Sequence, residues 1–128
     1  MKKGVVFLLL LAVVLGCQKA PGPGGTSSIK GKVIIRKFDP NFHFLASYPD
    51  VQDNVYINYG SQPGVGNSVK TDYNGEYYFP YLYSGAYTIY VYSLDTTQNN
   101  PSGQLVAKQV VNLGNGKDIT LPDITIAK

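Results

Sequence analysis

Cysteine, histidine and tryptophan are nearly absent from this chain of 128 residues. There is one cysteine, Cys17, one histidine, His43, and no tryptophan. A single cysteine excludes an intramolecular disulfide and a redox pair, and together with one histidine it cannot build a zinc site. No spare histidine remains for a Ser-His-Asp triad. These absences exclude most familiar catalytic arrangements, so we expect no enzyme activity, no catalytic residues, no cofactor and no metal.

Charge is also scarce, at 15% of residues, whereas 44% are hydrophobic and 11 are tyrosine. Aromatic residues favour strands, and this composition differs from that of disordered chains. The net charge is +3, from eleven basic and eight acidic residues; without Lys2 and Lys3, nine basic residues remain and the net charge is +1. Nucleic-acid binding would require a strong, clustered basic excess, so we expect no nucleic-acid partner.

The N-terminus has the pattern of a secretion signal. Lys2 and Lys3 precede an unbroken apolar run at residues 5–15. A helix over this run would be about 16 Å long, too short for a hydrocarbon core of about 30 Å. We therefore interpret residues 1–16 as a signal peptide that takes no part in the fold.

The apolar run closes with Val-Leu-Gly-Cys at residues 14–17, which resembles the lipobox of bacterial lipoproteins. The resemblance implies that Cys17 is diacylated, becomes the mature N-terminus and anchors the protein in a membrane. Residues 17–28 are then the lipidated cysteine and a Pro/Gly/Ser spacer. No acidic run follows Cys17, which favours the outer membrane of the cell envelope, facing the periplasm. The alternative is an ordinary secreted protein with an incidental cysteine.

From residue 29 onward the apolar pattern has period 2, which indicates strands rather than helices. The strongest segment is 85–92, where Tyr87, Ile89 and Val91 should face the core. A bend is expected at Pro122 and Asp123, where the apolar phase slips. Short strands at regular spacing predict an all-β, seven-stranded antiparallel sandwich in residues 29–128. The predicted strands are 29–37, 55–59, 68–71, 76–79, 85–92, 105–113 and 118–126.

The spacing Thr-Asp-x-x-Gly-x-Tyr-x-Phe-x-x-Leu-x-x-Gly-x-Tyr-x-Ile at residues 71–89 resembles carboxypeptidase regulatory-like and Cna-B-type domains. The resemblance implies a prealbumin-like (transthyretin-like) Greek-key fold and a noncatalytic module that binds carbohydrate or protein, or acts as a spacer. Transthyretin-like hydroxyisourate hydrolases need several histidines and a Tyr-Arg-Gly-Ser ending, both missing here. The glutamate that catalyses the isopeptide bond of Cna-B-type relatives is also missing from residues 80–85.

Asp72, Asn74 and Gly75 are expected to form a structural turn. The Asp72 carboxylate can accept backbone N–H bonds, and Asn-Gly supplies the positive φ values of a primed hairpin turn. A buried Tyr87 nearby would need a backbone partner for its hydroxyl. Calcium binding by Asp72, Asn74 and Glu76 is the alternative, although three oxygens fall short of the six to eight that calcium takes.

The connection at residues 37–54 is long for a sandwich loop and rich in aromatic residues. Its candidate binding residues are Phe42, His43, Phe44 and Tyr48. Two interpretations remain open: the aromatic side chains cover the open end of the core, or they form a recognition loop. A metal at His43 lacks a second histidine ligand.

Three tyrosines are expected on the outer face of one sheet. By alternation Tyr56, Tyr90 and Tyr92 point away from the core. They can form a flat patch for a sugar ring or a protein, or merely stabilise the sheet by cross-strand pairing. If successive strands reverse direction, loops 37–54, 72–75 and 96–103 also share the end opposite the lipid anchor. We therefore expect a noncatalytic, lipid-anchored envelope module that binds a glycan or an envelope protein, with a purely structural component as the alternative.

Overall fold

The computed structural model describes residues 20–128, and its regular structure over that range consists of nine strands and no helix. The predicted signal peptide, residues 1–16, and Cys17 lie outside the described residues. Within the described part of the chain, no helix is long and apolar enough to cross a membrane. The strands are β1 (Pro23–Phe38), β2 (Phe44–Pro49), β3 (Asn54–Tyr59), β4 (Asn67–Lys70), β5 (Glu76–Leu82), β6 (Gly85–Leu94), β7 (Gln104–Leu113), β8 (Asp118–Thr120) and β9 (Ile124–Ala127).

The strands form two sheets. In the first, β1 is central: β5 and β2 pair antiparallel with successive parts of one edge, and β8 and β9 pair parallel with the other. The second sheet is antiparallel throughout, in the order β4-β3-β6-β7. The predicted all-β class is confirmed, whereas seven strands and a wholly antiparallel arrangement are wrong.

Two local features account for the extra strands. Part of the connection at 37–54 forms β2, which pairs with β1 as a hairpin. The last predicted strand is interrupted at residues 121–123, which separate β8 from β9. Pro122 lies in this gap as the pattern predicts, because proline has no N–H to donate to a sheet.

One hydrophobic core joins the two sheets. Tyr87, Ile89 and Val91 of β6 are buried, as the period of 2 predicts, and each side chain of this kind contributes about 1.5–3 kcal/mol on burial. The buried apolar residues of the first sheet are Ile29, Val33, Ile35, Tyr77, Phe79, Leu82, Ile124 and Ile126. Those of the second sheet are Val55, Ile57, Tyr87, Ile89, Val91, Val111 and Leu113.

Strand β1 begins at Pro23, so residues 23–28, which composition assigned to the spacer, lie in the first sheet. Ser27 and Ser28 are buried there, and both hydroxyls have partners. Ser27 Oγ donates to the Gly114 carbonyl at 2.7 Å, and Ser28 Oγ donates to Asp118 Oδ1 at 2.6 Å. These bonds let small polar residues lie inside a sheet, a role that composition does not reveal.

The turn at residues 72–75 joins the two sheets rather than two paired strands, because β4 and β5 belong to different sheets. Asp72 Oδ1 accepts the backbone N–H groups of Asn74 at 2.8 Å and Glu76 at 2.9 Å. Gly75 has a φ of 78°, while Asn74 has no positive φ, so the expected primed hairpin turn is wrong. A Cβ at Gly75 would lie 2.7 Å from the Val33 carbonyl oxygen, which also requires glycine.

The two ends of the domain differ. At one end Tyr87 fixes the first described residues: its hydroxyl accepts the Gly22 N–H at 2.8 Å and donates to the Tyr83 carbonyl at 2.6 Å. The turn at 39–43 lies at the opposite end of β1, where Leu94, which leads into loop 95–103, shares a cavity with it. Loop 72–75 contacts the last part of the connection at 37–54: a Cβ at Gly75 would lie 3.0 Å from the Cβ of Pro49, and the Thr71 N–H donates to the Asp53 carbonyl at 2.8 Å. The Gly75 carbonyl also accepts the Val33 N–H midway along β1, so loop 72–75 meets this connection where β2 ends.

Candidate functional site

The turn between β1 and β2 is built around Asp39. Its Oδ1 accepts the backbone N–H groups of Asn41 at 2.9 Å and His43 at 2.8 Å. The Phe42 N–H donates to the Asp39 carbonyl at 2.9 Å, and Asp39 Oδ2 lies 3.2 Å from His43 Nδ1. His43 therefore serves the turn, with its side chain 76% exposed. A well-organised turn presents its central residues in one conformation.

The same bonding pattern recurs in the turn at 72–75, with one difference. Asp72 accepts from the residues two and four positions later, as Asp39 does. The residue three positions after the aspartate is Gly75 in the turn at 72–75, with a φ of 78°. In the turn at 39–43 it is Phe42, with a φ of 63°. The left-handed conformation costs a residue with a Cβ about 1–2 kcal/mol. The shared Asp-x-Asn spacing is the sequence signal that reveals this pair of turns.

The hairpin exposes large apolar side chains. Phe44 is 50% exposed, Leu45 59% and Tyr48 43%. Phe42 is half-buried and none of the four candidate residues is buried, so the interpretation that they cover the core is wrong. A β-bulge between Lys37 and Phe38 disrupts the alternation, and apolar groups occur on both faces. We call residues 38–49 the distal hairpin.

The aromatic rings of the distal hairpin contact one another. Phe38 and Phe44 meet edge to face with centroids 6.0 Å apart. The Arg36 guanidinium lies 4.9 Å from the Phe44 centroid and 5.7 Å from the Phe38 centroid. Such cation–π contacts contribute about 0.5–1 kcal/mol at exposed sites. The rings are thus held in place while still open to solvent.

A cavity of about 460 Å³ opens beside the distal hairpin. Its lining is mainly apolar and combines the hairpin with the end of β6. The lining residues are Lys37, Phe38, Asp39, Pro40, Phe42, Leu45 and Leu94. Within the described residues β2 is an edge strand that pairs with β1 alone. The distal hairpin therefore offers an apolar surface and a free strand edge together.

Behind the hairpin, Asp50 and Asp53 share the Lys128 ammonium. Lys128 Nζ lies 2.5 Å from Asp53 Oδ2 and 3.5 Å from Asp50 Oδ1. Burial, followed by the neighbouring Asp53, raises the pKa of Asp50 to about 6. Hydrogen bonds from Lys128 lower the pKa of Asp53 despite its burial. This cluster fixes the chain where β2 ends.

The three outward tyrosines form a second surface, the tyrosine cluster. Tyr56 and Tyr90 are stacked at 5.2 Å, and Tyr92 meets them edge to face at 5.6 and 5.9 Å. Burial, followed by Tyr92 and Tyr56, raises the pKa of Tyr90. The expected patch is contiguous, but Tyr56 and Tyr90 turn ring faces toward each other. These faces are unavailable to a sugar ring, which favours the cross-strand role.

Residues 20–128 lack the arrangement of side chains that a metal site requires. No group of three or more His, Cys, Asp or Glu side chains in that range is arranged to hold a metal ion. Asp72 and Asn74 belong to the turn at 72–75, which lies against Pro49 at the end of β2. Cys17, the predicted lipidation site, lies outside the described residues.

The strands and their common core define a two-sheet, all-β protein with an aromatic hairpin at one end. No protein-family model matches the chain, and no curated protein matches it. A solved structure of a Pseudomonas aeruginosa protein proposed to bind carbohydrate is similar, with a TM-score of 0.49 and 12% identity, over 89% of this chain and 94% of that chain. A likeness at this level carries no argument about the function of this chain.

Proposed function

We propose that this protein is a noncatalytic, lipid-anchored module of the bacterial cell envelope that binds a protein partner through its distal hairpin. The observation that carries the proposal is the position of Phe42, Phe44, Leu45 and Tyr48. They are the exposed or half-buried apolar groups of a hairpin at the end of the domain opposite Ala20, the first described residue.

The chemistry of the hairpin favours protein over glycan. Phenylalanine and leucine offer no hydrogen-bonding group, whereas buried aromatic anchors dominate protein–protein contacts. The free edge of β2 can add a strand from a partner, with its bulge limiting the length of the pairing. The strained backbone at Phe42 supports the same interpretation, because such strain collects at binding sites.

The anchor and the hairpin suit each other geometrically. Ala20 follows Cys17 by three positions, and the neighbouring Gly22 is bound to Tyr87 at the near end of the domain. Strand β1 then leads away over 16 residues, about 50 Å if fully extended. A lipid on Cys17 in the outer membrane would therefore leave the distal hairpin facing the periplasm.

The finer fold assignment is part of the proposal. We assign the chain to the prealbumin-like, carboxypeptidase regulatory-like class with Greek-key topology. Supporting features are the Asp72 turn before β5, the alternately buried Tyr77 and Phe79, and the backbone-bonded hydroxyl of Tyr87. Each of these residues belongs to the spacing that carries the family resemblance.

Site-specific photo-crosslinking tests the binding surface. Benzoyl-phenylalanine at Phe44 should give one discrete cross-linked protein in the cells that make this chain. The same group at Tyr73, which is 82% exposed on the other turn, is the matched control and should give none. Equal adducts at both positions, or none at Phe44 in protein that is folded and membrane-bound, would contradict the proposal.

The anchor is tested separately. Wild-type protein should fractionate with membranes and carry the added mass of the acyl chains on Cys17. The Cys17→Ser variant should lose both properties. Soluble wild-type protein of unmodified mass would contradict lipid anchoring without bearing on the hairpin.

A structural or assembly role is the second candidate, favoured by the tyrosine cluster. Its rings stack on one another, and Val106 and Val110 on the adjacent strand β7 are 53% and 68% exposed. Concentration-dependent self-association that is lost in Val110→Lys would favour this role over partner binding.

A further inference from the structure

The first sheet is open where β8 gives way to β9. Strand β8 pairs with β1 as far as Lys30, and β9 begins its pairing at Val33. The interruption at 121–123 leaves Gly31 and Lys32 without a paired strand on that edge. A cavity of about 510 Å³ occupies this opening, within the range of ligand pockets, about 300–1,000 Å³.

A buried tyrosine is among the residues that line the cavity. Tyr77 is 1% exposed, and its Oη has no hydrogen-bond partner among the described residues. The ring extends over Gly31, where any side chain would overlap the hydroxyl. Burial, followed by the Asp123 carboxylate, raises the pKa of Tyr77 to about 12, so the group is a neutral donor at physiological pH. An unpaired buried hydroxyl is costly, and a ligand oxygen in the opening would satisfy it.

The rim of the cavity carries an exposed ring and charges of both signs. Tyr78 is 54% exposed and lies opposite Lys30 across the strand pair, as Glu76 lies opposite Lys32. The remaining polar lining groups are Asp72, Thr120 and Asp123. The lining contains two lysine ammonium groups and three carboxylates. An anionic ligand would be repelled by the carboxylates, and a cationic ligand by the lysines. A molecule with several hydroxyls can donate to the carboxylates and accept from the lysines.

We propose that this cavity binds a neutral sugar unit of a glycan, with its apolar face on Tyr78 and a hydroxyl accepting from Tyr77. The ring of Tyr78 offers a flat apolar surface for the sugar, and the polar groups of the lining lie beside it. In the tyrosine cluster, by contrast, the rings of Tyr56 and Tyr90 stack on each other. This site belongs to the first sheet and is independent of the distal hairpin.

The experiment is titration of the isotope-labelled folded domain with neutral hexasaccharides of glucose, xylose and N-acetylglucosamine, followed by amide NMR. Hexagalacturonate and inorganic phosphate are the charged comparisons. At least one neutral sugar should shift the amides of Gly31, Tyr78 and Thr120 at millimolar concentration. Binding by the charged probes alone, or by no probe, would overturn the proposal.

Three variants separate binding from folding. Tyr78→Ala should weaken sugar binding about tenfold or more, whereas Tyr81→Ala, which removes a 73% exposed ring of the same strand, should not. Tyr77→Phe removes only the unpaired hydroxyl, so it should weaken binding while leaving the melting temperature unchanged or higher. A lower melting temperature with unchanged sugar affinity would show a purely structural hydroxyl. Phe44→Ser should leave sugar binding intact, which distinguishes this site from the hairpin.

Discussion

Replacing Phe42 by alanine and by glycine provides a direct test of strain in the distal hairpin. Both variants remove the ring, so they lose the same packing and differ only in backbone freedom. At an ordinary position alanine is the more stable of the two, because glycine loses more entropy on folding. At Phe42, where φ is 63°, the order should reverse.

The size of the reversal follows from two opposing contributions. The left-handed conformation costs alanine about 1–2 kcal/mol, and the greater freedom of glycine in the unfolded chain offsets about 0.4–1 kcal/mol. Phe42→Gly should therefore have a free energy of unfolding about 0.8 kcal/mol above that of Phe42→Ala, the midpoint of a range of about 0–1.6 kcal/mol. Gly75→Ala, in the matching turn, should be more destabilising than the backbone effect alone, because its Cβ would also clash with the Val33 carbonyl.

Urea denaturation with tyrosine fluorescence measures these differences, with equal m-values as the requirement for a shared unfolding transition. If Phe42→Ala is as stable as Phe42→Gly or more so, Phe42 is not held in a left-handed conformation and the strain argument fails. Phe42→Gly should also reduce the cross-linked adduct at Phe44, because the turn keeps its geometry while the contact ring is lost.

Two further predictions concern the ends of the domain. Tyr87→Phe should lower the free energy of unfolding by about 1–3 kcal/mol, because the buried Gly22 N–H and the Tyr83 carbonyl lose their partner; urea denaturation measures it, and Tyr92→Phe, on the exposed side of the same strand, is the control. The second is a pH effect. The folded pKa of Asp50 is about 6 against an ordinary value of 3.8, so its contribution to stability is present below pH 3.8 and lost as pH rises to about 6. The loss is about 2–3 kcal/mol, and Asp50→Asn should remove it from the stability profile measured between pH 4 and 7.

A Tyr87→Phe variant as stable as Tyr92→Phe would show that the corner bonds contribute nothing. For Asp50, the lowered pKa of Asp53 acts below pH 3.8, outside the relevant window. An unchanged pH slope in Asp50→Asn would therefore rule out Asp50 as its source.

The missed strand β2 shows why part of the fold was not predictable. Alternation arises where one face of a strand is buried, and five of the six residues of β2 are exposed while the sixth is half-buried. Its pairing depends on β1, which comes earlier in the chain and supplies the free edge. By contrast, β6 has a buried face over its whole central part, and the positions of Tyr87, Ile89 and Val91 follow directly from their spacing.

The candidate sites likewise include residues that the sequence identified and a cavity that it did not. Phe42, Phe44 and Tyr48 could be selected from the sequence, because aromatic side chains in a long connection are costly to leave in water. Their exposure depends on how the hairpin extends beyond the second sheet. The cavity beside Tyr77 was not anticipated, since it requires the β8–β9 interruption to lie beside Gly31.

The amino-acid sequence by itself determined the all-β class, the inward and outward faces of β6, and the interruption near Pro122, because each depends on neighbouring residues in one strand. Only the tertiary structure decided which strands pair, which edges stay free, and which aromatic groups meet solvent. Those properties arise from contacts between segments far apart in the chain, and a local pattern of side chains carries no information about its distant partner.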